Sequence, residues 1–175
     1  MNSTVTNACR ERLLVLSVAV ALLAFPASPA AAQKQDIEIL KTSLKKALGE
    51  QANTGHYRIV LIKKGMINNQ PALSIALNAN SSPTPAGLRY GIFGDVVKTF
   101  RVLKSWAWPG KVRYVMLGEY ARVDTGSGKQ ELHLVFAGLI SSHKISETDW
   151  DSFDPRKIPE ILDSAQLHEL IGQGP

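Results

Sequence analysis

Apolar residues recur at helical spacing from Asp36 to Glu50, where Ile37, Leu40, Leu44, Ala47 and Leu48 make one stripe and Lys41, Lys45 and Lys46 fall mostly off it. The spacing predicts an amphipathic helix, closed by Gly49 and the Asn53-Thr54-Gly55 turn. The period then shortens. Tyr57 to Ile62 and Ala72 to Leu77 are β-branched and apolar, and they predict two strands of a hairpin with a longish loop over Gly65 to Gln70. Asn78 to Gly87 has two prolines and no apolar period, which predicts a surface loop, and Leu88 to Phe93 predicts a further strand interrupted by Gly91. Helical spacing returns at Gly94. Asp95 is the expected N-cap, Val96, Val97, Phe100, Leu103 and Trp106 form the stripe, and Pro109-Gly110 is the stop.

Two long strand-like runs, Val112 to Val123 and Gln130 to Ile140, flank Asp124-Thr125-Gly126-Ser127-Gly128-Lys129 and predict a second hairpin. A four-residue loop from Thr125 to Gly128 would set Asp124 opposite Lys129, Arg122 opposite Glu131 and Tyr120 beside His133. That register puts Val115, Leu117, Ala121, Leu132, Leu134 and Phe136 on a core face. Tyr114, Met116, Tyr120, Arg122, Glu131, His133 and Leu139 then share the other face. After an acidic stretch, Ile158, Ile161, Leu162, Ala165, Leu167, Leu170 and Ile171 predict a final helix, with Pro159 in its first turn. The expected fold is a single α+β domain, an antiparallel sheet of four or five strands covered by two to three helices.

The N-terminus changes the picture of where this domain works. Arg10 and Arg12 precede an apolar run from Leu13 to Phe25, followed by small residues and Ala30-Ala31-Ala32. This is the layout of a secretory signal peptide, so residues 1–32 are expected to be cleaved and residues 33–175 to form the exported domain. The apolar core is shorter than the roughly 20 residues that span a bilayer. Export leads to a periplasmic or secreted location. The single cysteine, Cys9, lies before the apolar run, so the expected mature chain has no thiol, and therefore no disulfide, thiolate metal site or cysteine nucleophile.

Charge is unevenly spread. Residues 33–122 hold 14 Lys/Arg and 5 Asp/Glu, and residues 123–175 hold 4 and 9. Either the acidic segment folds back on the basic surface or that surface meets an anionic partner.

The chemical motifs are absent or incomplete. Ser43-Leu44-Lys45-Lys46 and Ser141-Ser142-His143-Lys144 have Ser-x-x-Lys spacing without the further elements of a penicillin-recognising enzyme. Gly126-Ser127-Gly128-Lys129 lacks the upstream glycine and following Ser/Thr of a phosphate-binding loop. His56, His133, His143 and His168 have no metal-ligand spacing, and the run Glu147, Asp149, Asp151, Asp154 lacks the glycine and glutamate of a calcium loop. No cofactor or metal is expected.

Binding residues are sought on the amphipathic hairpin face, at Tyr114, Tyr120, Arg122 and His133. A second candidate set is the basic row Lys98, Arg101, Lys104 with the neighbouring Trp106 and Trp108. No nucleic-acid motif accompanies them. The expected function is a non-catalytic binding or accessory protein of the cell envelope. Its partner would be another envelope protein or an anionic polymer or lipid surface. The alternatives are a small extracytoplasmic hydrolase using His133 or the acidic segment, and a structural subunit of an envelope complex.

Overall fold

A computed structural model of the chain describes residues 29–106, 112–124 and 130–172. They form one α+β domain around a five-stranded sheet in the spatial order β1-β2-β3-β4-β5. Helix α1 spans Pro29–Leu48, β1 Ile59–Ile67 and β2 Gln70–Asn78, and α2 spans Pro85–Ser105. Then follow β3 (Tyr114–Asp124), β4 (Gln130–Ser141) and α3 (Ser142–Glu147), and a 3-10 turn at Pro155–Lys157. The described residues end with α4 (Ile158–Ile161), β5 (Ser164–Leu167) and α5 (Glu169–Gly172). The sheet is mostly antiparallel, as expected, but not strictly: β2 and β3 run parallel, and the other three pairs are antiparallel. A parallel pair needs a crossover, and α2 supplies it.

The β1–β2 hairpin closes through two residues, Asn68 and Asn69, with φ of 50° and 60°. Asparagine tolerates this left-handed backbone, and two such residues match the twist of a hairpin, so the expected longer loop is replaced by a tight turn. The strand expected over Leu88–Phe93 is helical. Thr84 caps α2 by accepting from the Gly87 N–H at 3.1 Å, and Pro85 sits in the first turn, where its missing donor costs nothing. Asp95 is therefore not the N-cap but a buried residue in the middle of α2.

The second hairpin departs from the expected register. Asp124 pairs with Gln130, Arg122 with Leu132 and Tyr120 with Leu134, one position away from the expected Glu131 and His133. Beyond Glu119 the ladder slips again, with Glu119 opposite Phe136, so Val135 is the extra residue of a bulge. Each slip of one exchanges the faces of β4. Leu132 and Leu134 consequently point away from the core, and His133 lies across from buried Ala121 on the helix side. Val115, Leu117, Ala121 and Phe136 are buried as expected.

The core lies between the sheet and the helices. Leu73, Ile75 and Leu77 of β2 and Val115 and Leu117 of β3 meet Leu40 and Leu44 of α1 and Ile92, Val96, Phe100 and Leu103 of α2. Trp150 belongs to it: its ring lies 5.0 Å from those of Phe100 and Phe153, and its indole N–H donates to Ile145 O at 2.7 Å. The expected final helix is broken into α4, β5 and α5, because the segment pairs Leu167 with Phe136 and Ser164 with Leu139 at the sheet edge.

Candidate functional site

The sheet's second face is covered by no described element. Residues that alternate with the core positions lie there, and they form rows across the strands. One row runs Leu61, Ala76, Gly118, Ala137, Gln166 from β1 to β5. On one side of it stand Ser74, Met116, Leu139 and Ser164, and on the other Asn78, Tyr120 and Leu134. The centre of the first row has almost no side chain. It is a shallow trough between a Met116/Leu139 ridge and a Tyr120/Leu134 ridge. Leu134 leans into it: a Cβ on Gly118 would stand 3.2 Å from Leu134 Cδ1.

Four large apolar side chains on this face are 44–55% exposed, namely Leu61, Met116, Leu132 and Leu134. Lys63 and Arg122 are its flanking cations, and Arg122 donates to Gln130 O at 3.4 Å. Of the expected hairpin-face residues, Tyr114, Tyr120 and Arg122 share the open face. His133 does not. Its Nε2 is 3.5 Å from Glu131 Oε2 and its ring is 5.3 Å from that of His168 on the helix side. Leu132 and Leu134 were missed as surface residues because the bulge at Val135 reverses the alternation, and no glycine or proline in β4 marks that position.

The basic row has a different role from an open cationic surface. Arg101 donates to Trp150 O at 2.9 Å and its Nε pairs with Asp151 at 2.8 Å, and Lys104 donates to Thr148 O at 2.9 Å. Lys98 reaches Asp95 at 3.7 Å. The acidic segment thus docks on the row. Trp106 packs against the core at the end of α2, and Trp108 lies outside the described residues.

A buried polar cluster sits beneath α2. Arg58, just before β1, donates to Asn78 O at 2.5 Å and to Asp95, which closes a buried ion pair. Glu119 on β3 is wholly buried nearby, and neither carboxylate oxygen has a hydrogen-bond partner among the described residues. Burial, reinforced by the Asp95 charge and partly opposed by Arg58, raises its pKa well above the ordinary glutamate range. A strongly perturbed acid is a familiar sign of a catalytic group. A catalytic acid must touch its substrate, however, and Glu119 is enclosed by the core on all sides. The cluster fixes α2 to the sheet.

Among the described residues, no group of three or more His, Cys, Asp or Glu could hold a metal ion, and no helix is long and apolar enough to cross a membrane. No family model, curated protein or solved structure matches the chain.

Proposed function

We propose that this is an exported, non-catalytic binding or accessory protein of the cell envelope, and that it engages another envelope protein through the open face of its sheet. The observation that carries the reading is the trough of Ala76, Gly118 and Ala137 between apolar ridges, with Leu61, Met116, Leu132 and Leu134 left in water. Contiguous exposed apolar surface is costly to a protein that stays alone, and it is the usual composition of the centre of a protein interface. An apolar segment of a partner fits the trough, because small residues let its atoms approach the sheet backbone closely. The Arg-flanked apolar run before Pro26 supports export.

The test is a photo-crosslinking amino acid placed at Met116 or Leu134, and separately at Lys46 on the helical layer, in cells that make the protein. A discrete protein adduct from the first two positions only is the expected result. Equal labelling from all three positions, or adducts with lipid alone, overturns the reading.

A further inference from the structure

A guanidinium on a partly buried stem that meets no anion is held in place by its stem and open to any anion that can reach it. Arg89, in the early turns of α2, is such a group. It is half-buried and makes no hydrogen bond or ion pair among the described residues. It lines an open cavity of about 360 Å³ bordered by α2, the 3-10 turn, α4 and β5. That volume lies within the about 300–1,000 Å³ typical of small-molecule sites.

The rest of the lining narrows the ligand. Phe93, Pro159 and Leu167 give an apolar wall. Phe93 is held in place edge-on to Phe136, with ring centres 6.2 Å apart at 76°. On the polar side stand Tyr90 and Arg156. Arg156 is already engaged, with its Nε 3.0 and 3.1 Å from the two Asp154 oxygens and its Nη2 at 2.8 Å. Arg89 is thus the uncommitted cation, with Tyr90 as a neutral donor beside it. A phosphate would ask for more donors than these and would leave the apolar wall in water. A planar apolar body with one carboxylate uses both halves.

We infer that this cavity binds a small aromatic carboxylate, its carboxylate on Arg89 and its ring against Phe93 and Leu167. The site lies on the helix side of the sheet and does not depend on the open-face reading.

The experiment is isothermal titration of the purified protein with 2-naphthoate and with its neutral isostere 2-naphthamide. One saturable site for 2-naphthoate is expected, with the amide weaker by about tenfold or more, the worth of one charge-assisted hydrogen bond. Arg89→Gln should bind both probes equally weakly. Ala86 is exposed at the cavity mouth, so Ala86→Trp should close the site without altering the thermal midpoint. Absence of saturable binding to the wild type overturns the proposal, and so does wild-type affinity in Arg89→Gln. Binding that survives Ala86→Trp but disappears in Leu134→Glu would place the probe on the open sheet face and overturn it equally.

Discussion

The guanidinium of Arg58 donates to the carboxylate of Asp95 across the boundary between sheet and helix, and both residues are buried. Two residues far apart in sequence are thereby held as one unit. A buried pair adds little net stability over an apolar pair of equal volume, but removal of one partner strands the other charge.

Arg58→Met is therefore expected to destabilise the domain by about 3–5 kcal/mol in urea unfolding. Arg58→Met/Asp95→Leu should cost less than the sum of the single changes, because no charge remains buried alone. Strict additivity would mean that the pair does not act as a unit.

Glu119 sets the direction of a pH response. Its folded-state pKa is raised, so its contribution is fully present below the unfolded value of about 4.3 and is lost as pH rises toward the folded one. Wild-type stability should fall as pH rises above the unfolded value, and Glu119→Gln should show a smaller fall over the same interval. Identical slopes for the two proteins, read from denaturation midpoints, would remove Glu119 from the account.

Two glycines should respond oppositely to alanine. A Cβ on Gly138 would stand 2.7 Å from Phe136 Cζ and 2.9 Å from Leu162 Cδ1, inside packed core. Gly138→Ala should lower stability by about 1–3 kcal/mol. Gly91 is exposed within α2 with nothing within 4 Å of such a Cβ, so Gly91→Ala should raise stability by about 0.5–1 kcal/mol. Thermal midpoints of the two variants decide both.

The basic row should act on folding before it acts on binding. Arg101→Ala removes the bond to Trp150 O and the pair with Asp151, at a cost of about 1 kcal/mol, kept low because the side chain is half in solvent. Lys98→Glu/Arg101→Glu/Lys104→Glu should lower the thermal midpoint further by repelling Asp151 and Asp149 and freeing the segment around Trp150. An unchanged midpoint would mean that the row is only a solvated face.

Local periodicity makes the fold legible where neighbours along the chain decide the structure. The stripes of α1 and of the second half of α2 are the buried faces, and the strands of both hairpins fall close to where alternation places them. The failures share a physical cause. The first half of α2 hides behind Gly91 and a proline-rich approach, yet packing of Leu88, Ile92 and Phe93 against the core outweighs weak local propensity. In β4 the bulge at Val135 depends on what lies across the sheet. Ala165 has helical spacing with Ile158 and Ile161, but pairing at the sheet edge takes precedence. Arg156 meets Arg89 and Tyr90 only through the tertiary fold, so no spacing in the sequence announces their cavity.

The parallel pairing of Leu73 with Val115 and Ile75 with Leu117 at the middle of the sheet also sets the order in which the molecule can assemble. Each hairpin closes over a short loop, at small entropic cost and on the microsecond scale. The join between them must wait for the whole of α2 to cross over, and a single hairpin is at best marginally stable in water. Until that join closes, both hairpins present unpaired edges to any other chain nearby. The central seam is thus where a newly made molecule is exposed to misassembly.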